Sequence, residues 1–213
     1  MYSGWNQRQQ MKIKLHLLCI PLVLLMIFSG QIAYYAIILT SLLWHEAGHL
    51  LAAMLCGVKV KSCVITPYGG EIEFENPAVV PASSLLWIAL GGPIATIIGI
   101  GLAFFMPEIL ANKLINVQLV LLAINLLPII PLDGGRIFMA CLFLFYPSVR
   151  AFEYYYWLSL IITSITFILT LTNLPHFIFL AILCLFIWLQ AIKEWNYRKY
   201  RLAFEKYVMN RLT

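Results

Sequence analysis

The sequence predicts an all-α polytopic membrane protein with six transmembrane helices, a small β-hairpin between the second and third, and a broken fourth helix. Three observations carry this. Hydrophobic residues make up 62% of the 213 and charged residues only 11%, and a mean hydropathy of +0.90 lies well outside the range of a water-soluble domain. Apolar runs recur along the whole length, each near the roughly 20 residues that cross a bilayer as a helix. Between two of them, the stretch "VKVKSCVITPYGGEIEFE" (Val58 to Glu75) alternates polar and apolar residues around a Pro-Tyr-Gly-Gly turn, a hairpin pattern. No sizeable water-soluble domain remains.

The apolar runs cover about 15–29, 31–56, 82–105, 113–146 with an interruption, 154–172 and 177–192. The first follows Arg8, Lys12 and Lys14 in the manner of a signal peptide. It lacks a small-x-small cleavage site, and the next run begins almost at once at Gln31, so it is read as a retained first helix. An even number of spans puts both termini on one side. The expected inner segments hold Arg8, Lys12, Lys14, Lys59, Lys61, Arg150 and the cations of the tail, against Lys113 alone in the outer loops, so both termini are expected in the cytoplasm. Arg136, within the fourth span, is either a counter-charge for Asp133 or a side chain reaching to the inner surface.

Residues 1–192 are thus expected to form one intramembrane domain and residues 193–213 a basic amphipathic tail. In the tail, Tyr197, Tyr200, Phe204 and Tyr207 interleave at helical spacing with Lys199, Arg201, Lys206 and Arg211, a pattern suited to anionic lipid and not to nucleic acid. The five cysteines contain no CxxC pair and read as reduced apolar fillers.

The chemistry lies where polar groups interrupt the spans. In "LLWHEAGHLL" (Leu42 to Leu51), His45 and His49 stand four apart, so on a helix both imidazoles project from one face and can share one metal ion. Glu46, beside the first, is placed as general base for a metal-activated water. Ionisable groups at membrane depth are costly unless paired, metal-bound or solvated. Of the nine acids only Glu46 and Asp133 fall within the expected spans. Asp133 sits in "NLLPIIPLDGGR" (Asn125 to Arg136), where Pro128, Pro131, Gly134 and Gly135 must break the fourth span. Irregular backbone at that depth lines a cavity or is buried in protein, which makes Asp133 the candidate third ligand. Two histidines and a carboxylate leave one tetrahedral position open, the form of a catalytic zinc site with one Zn²⁺ per chain. Asn125 either caps the broken helix or donates a hydrogen bond to substrate, and Pro131 in the break joins it in the candidate substrate-binding set. Val64 and Ile65 complete that set, on a hairpin that is either a capped loop or a strand pairing with an extended peptide. Gly91, Gly92 and Pro93 read as packing residues of the third span, Thr96 receives no role, and His16 and His176 read as interfacial.

HEAGH in one span followed by N-x-x-P-x-x-P-x-D-G in another resembles the site-2 protease family of intramembrane zinc metalloproteases, peptidase family M50. The PYGG hairpin, the short amino-terminal arm and "NLLPIIPLDGG" resemble its sporulation branch over nearly the whole chain. The resemblance implies that His45, His49 and Asp133 bind zinc, that Glu46 is the general base and that Asn125 helps hold substrate near the metal. It also implies regulated proteolysis of a membrane-associated, inactive sigma-factor precursor in the mother-cell membrane around the forespore. Inhibitory membrane proteins and further copies of the chain are the other partners it allows. The family often has Asn where this chain has Thr96. Members of the branch usually carry a carboxy-terminal CBS domain, and none is expected in the stretch ending at Thr213, so no nucleotide regulation is inferred. Other classes compatible with His and Asp inside spans are a metal-ion transporter, which would show staged ligands and often an internal repeat, and a non-catalytic membrane binding protein, which would lack Glu46.

Overall fold

A computed structural model describes residues 12–15, 30, 32–66, 69–75, 80–146, 148–172, 181–182 and 184–197. In chain order the elements are β1 (Lys12–Leu15), α1 (Ile32–Leu55), β2 (Val60–Thr66), β3 (Gly69–Phe74), α2 (Ala82–Ala103), α3 (Glu108–Asn125), α4 (Asp133–Phe145) and α5 (Val149–Leu171), with a further helical stretch, α6, over 184–197.

Four of these helices are long and apolar enough to cross a membrane: α1, α2, α3 and α5 from Arg150 onward. The count differs from the six expected for identifiable reasons. Leu15, taken as the start of the first span, belongs to strand β1, and residues 16–29 lie outside the described set, as do His16, His176 and the tail beyond 197. The fourth span is two helices, and α4, with 13 residues, covers only about 20 Å at 1.5 Å per residue. The sixth is described as helix over 184–197, a stretch that runs across the 192/193 boundary between domain and tail. Helices α3 and α5 also begin earlier than the apolar runs, taking in Glu108 and Glu153. Charges in the first turns of a helix leave its apolar body intact, which is why hydropathy alone misses such ends.

Helix α2 is the centre of the bundle, packed against α1, α4 and α3. Its contact with α1 is set by two glycines. A Cβ on Gly48 would lie 2.5 Å from Ala95 Cβ and run into the Gly91 carbonyl oxygen, and one on Gly91 would lie 2.8 Å from Ala52 Cβ. Between apolar helices in lipid the hydrophobic effect supplies little, and close backbone approach over small residues supplies the packing. The buried side of α1 follows at helical spacing through Ser41, His45, Gly48, His49 and Ala53, with Glu46 beside it.

Gly57 ends α1. Its φ of +68° is the left-handed conformation a glycine adopts without a Cβ penalty. The Gly57 and Val58 amides donate back to the carbonyls of Met54 and Ala53, each at 3.0 Å, closing the last turn as a Schellman motif. The chain leaves directly into β2. The expected hairpin is present, with β2 and β3 antiparallel from Val60↔Phe74 to Thr66↔Gly69 and an irregularity between Val60 and Ser62. It has a third member: β1 pairs in parallel with β2, placing Lys14 opposite Val64 and Leu15 opposite Ile65. Val64 and Ile65 therefore lie on the central strand with both edges occupied, and the outer edge of β3 has no strand partner among the described residues.

If the Gly48–Gly91 contact sets the helix spacing, Gly48→Ala will lower the thermal midpoint of the detergent-purified protein, at a cost of about 1–3 kcal/mol for an overpacked seam. Gly101→Ala, on the same α2 but with nothing within 4 Å of its Cβ, will leave the midpoint within about 0.5 kcal/mol of wild type.

Candidate metal centre

The two imidazoles project from consecutive turns of α1 into the seam with α2 and α4. His45 is 1% exposed and His49 4%, and their rings stand nearly perpendicular, 4.9 Å apart between centroids. Asp133, 5% exposed, is the first residue of α4, where the positive end of the helix dipole favours a carboxylate. Its Oδ2 lies 2.8 Å from His45 Nε2 and 3.1 Å from His49 Nε2, and the two Nε2 atoms are 3.2 Å apart. Three ligand atoms from three turns of two helices thus meet at one point.

The far nitrogen of each ring identifies its tautomer. His49 Nδ1 is 2.8 Å from the Ile88 carbonyl oxygen. A carbonyl only accepts, so the proton sits on Nδ1 and the Gly92 amide nitrogen, 3.3 Å from the same atom, is in close packing. His45 Nδ1 is 2.8 Å from Thr96 Oγ1, and that hydroxyl is 3.1 Å from the Gly92 carbonyl oxygen. The hydroxyl donates to the carbonyl and accepts from the ring. A proton on Nδ1 of both rings satisfies these contacts and leaves each Nε2 lone pair for a metal ion.

Three lone-pair donors pointing at one another, buried and with no proton between them, are reconciled by a cation. The set fits zinc in type and in spacing. Tetrahedral coordination at about 2.0–2.1 Å from the metal separates neighbouring ligand atoms by roughly 3.3 Å, against the 2.8, 3.1 and 3.2 Å observed. Gly92 makes room for it, since a Cβ there would stand 2.6 Å from His49 Cε1 and 2.7 Å from His45 Cε1.

Asp133 is held from behind by the break the prolines and glycines were expected to make. Residues 126–132 turn back in short hydrogen bonds, Ile129 amide to Leu127 carbonyl at 2.7 Å and Leu132 amide to Ile129 carbonyl at 2.9 Å, and the Ile130–Pro131 peptide is cis. The Ile130 amide donates to Ser159 Oγ at 3.3 Å, and Tyr155 on the same helix α5 donates to the Gly135 carbonyl at 3.4 Å. The Ile130 amide, freed by the break, thus finds a protein partner, as membrane depth requires. Gly134 and Gly135 let α4 start directly on this loop: a Cβ on Gly135 would lie 2.5 Å from the Ile129 carbonyl group.

Glu46 is buried, 8% exposed, next to His45 on α1. Asn125 is the last residue of α3 and half-buried, and Pro131 is half-buried in the break. Arg136 Nη1 stands 4.0 Å from Asp133 Oδ1 with its side chain 45% exposed, a counter-charge at the outer limit of ion pairing. Sequence reasoning missed Thr96 and the Ile88 carbonyl and read Gly92 as packing alone. A hydroxyl four residues after the glycine of a Gly-Pro pair in an apolar helix was the available signal for Thr96. Nothing in a sequence marks one carbonyl among many.

These features define a buried group of two histidines and one carboxylate that could hold a metal ion, with an acidic residue adjacent in the chain. Comparison with known proteins gives the same class. The family model described as Peptidase family M50 matches residues 33–113, which include both histidines and Glu46 but stop short of Asp133. Stage IV sporulation protein FB of Bacillus subtilis is 27% identical over 211 residues, covering 92% of this chain and 72% of that protein. A zinc metalloprotease of Methanocaldococcus jannaschii is 34% identical over 119 residues, covering 51% of this chain and 34% of that protein. The fold matches the structure of the site-2 protease from Methanocaldococcus jannaschii with a TM-score of 0.68 at 24% identity, over 85% of this chain and 89% of that one. The resemblance to the site-2 protease family read from the motifs is thereby borne out, and the donor set and these matches agree on zinc as the cofactor.

Replacing any one of the three residues will weaken zinc binding without abolishing it. His45→Ala, His49→Ala and Asp133→Ala are each expected to bring zinc per purified chain down at least tenfold by elemental analysis, and Gly92→Ala, which changes no ligand, is expected to act in the same direction through steric displacement of both rings.

Proposed function

We propose that this chain is a zinc metalloendopeptidase that hydrolyses a peptide bond of a membrane-associated protein near the cytoplasmic face. The observation that carries the reading is the convergence of His45 Nε2, His49 Nε2 and Asp133 Oδ2 within 4.8 Å, with a buried glutamate directly following the first ligand in the chain.

The three ligand atoms would hold the ion. Zinc, when bound, supplies Lewis acidity that polarises a peptide carbonyl and acidifies water. The remaining work falls to the protein. Glu46 accepts the proton of the attacking water on its carboxylate and delivers it to the departing amide nitrogen, so one group serves as base and then as acid. Its burial keeps that carboxylate free of competing bulk water. Asn125 and Pro131, at either end of the break that introduces Asp133, hold the substrate backbone. A helical substrate must unwind first, because its amides are hydrogen-bonded and shielded. The unwound segment then adds to the sheet at the open edge of β3, with Val64 and Ile65 of β2 behind it. The excess of Lys and Arg in the inner segments supports cytoplasmic termini.

The substrate is inferred to be an inactive sigma-factor precursor cut during sporulation, in the mother-cell membrane around the forespore. The support is the similarity along 92% of this chain to a stage IV sporulation protein. Residues 1–192 serve as the protease domain and the basic residues after 193 as a lipid-facing tail.

Co-expression with a sigma-factor precursor, read as the shortened product on a gel, tests the activity. Wild type is expected to produce it. Glu46→Gln is expected to retain zinc while cleavage falls by about 10²–10⁴-fold, the usual contribution of a positioned general base. Equal cleavage by the two proteins would sink the mechanism.

A further inference from the structure

We infer that Thr96 is a positioning residue for the metal centre: its hydroxyl holds His45 in the tautomer and orientation that aim Nε2 at Asp133, and so sets the affinity for zinc. The inference rests on the reading of the triad as a zinc site.

The hydroxyls elsewhere in these helices show what Thr96 would do without such a role. Thr40 donates to the Ala36 carbonyl and Thr166 to Ile162, each at 2.7 Å and four residues back along its own helix. A hydroxyl in an apolar helix satisfies itself in this way and needs no second partner. Thr96 makes the same backward bond, to Gly92 at 3.1 Å, but it is 0% exposed and its oxygen meets a ring nitrogen of another helix at 2.8 Å. The bond to Gly92 uses the hydroxyl proton and turns the oxygen lone pairs outward, so Thr96 can act toward His45 only as acceptor. That acceptor fixes the ring proton on Nδ1. Without it, the proton could move to Nε2, the atom that must be bare to bind a metal, and the ring would lose the restraint on its rotation.

The two histidines differ in this respect. His49 is oriented by a main-chain carbonyl, which no side-chain substitution removes. His45 depends on a side chain. The chain of contacts Thr96–His45–Asp133 also joins three helices, α2, α1 and α4, so the residue that orients the ligand sits on the central helix of the bundle.

The test is zinc affinity of the full chain purified in detergent, measured by competition with a chromophoric chelator. Thr96→Val, which keeps the shape and removes the acceptor, is expected to weaken zinc binding by about 10–100-fold, the usual effect of losing an outer hydrogen-bond partner of a ligand. Thr96→Ser is expected to restore affinity to within about threefold of wild type. In a His45→Ala background, Thr96→Val should change affinity by less than about twofold, because the hydroxyl acts through a ring that is no longer there. Thr96→Ala replaces the valine variant if the latter does not fold. Wild-type affinity in Thr96→Val, or an undiminished effect in the His45→Ala background, overturns the inference. If wild type itself binds no zinc, the metalloprotease reading fails first.

Discussion

The structure depends on how closely α1 approaches α2. Gly48 and Gly91 bring the two backbones into contact, with no space for a Cβ on either. Only at that separation can the Ile88 carbonyl and the Thr96 hydroxyl, both on α2, reach 2.8 Å from the Nδ1 atoms of His49 and His45 on α1. The glycine at 92 serves the same end by leaving space beside both rings. Since apolar helices in lipid gain little from hydrophobic burial against each other, van der Waals contact over small residues is the available means of fixing such a distance. A membrane helix pair held this tightly is also a rigid mount for ligands, which a functional site requires.

The third ligand reaches the same point by a different route. Asp133 is introduced by a break in the helical course between Asn125 and Asp133, where Ser159 of α5 takes up the Ile130 amide that lipid could not, while Tyr155 of α5 bonds the Gly135 carbonyl in the first turn of α4. The work is divided between elements: α2 orients the imidazoles while α5 supports the loop that carries the carboxylate. Each ionisable group in the centre has partners that justify its burial. The two rings are neutral donors on one side and lone-pair ligands on the other, and the single carboxylate offsets part of the charge of a divalent ion.

The β2–β3 hairpin follows α1 directly, with Gly57 making the sharp exit. The hairpin and both histidines therefore share one short stretch of chain. The parallel strand β1 comes from upstream of α1 and fills one edge of β2, and the outer edge of β3 has no strand partner among the described residues.

The parts legible in the sequence were those encoded by short-range spacing. HEAGH places two imidazoles on one helical face whatever surrounds it, the prolines and glycines between Asn125 and Arg136 must break a helix, and the alternation from Val58 to Glu75 is a hairpin pattern in isolation. Other features were decided by residues distant in the chain. Leu15 extends as a strand because β2 offers it an edge, although its apolar neighbours read as the start of a span. Asp133 meets the histidines through the packing of α4 against α2, and Thr96, unremarkable in an apolar run, acquires its role from a ring 51 residues away. The sequence by itself determined which groups are present and which face each occupies, because helix and strand periods are local properties of the backbone. Only the tertiary structure decided which of those faces meet and which nitrogen of each histidine is left bare, because hydrogen bonds between helices depend on a separation that no single segment contains.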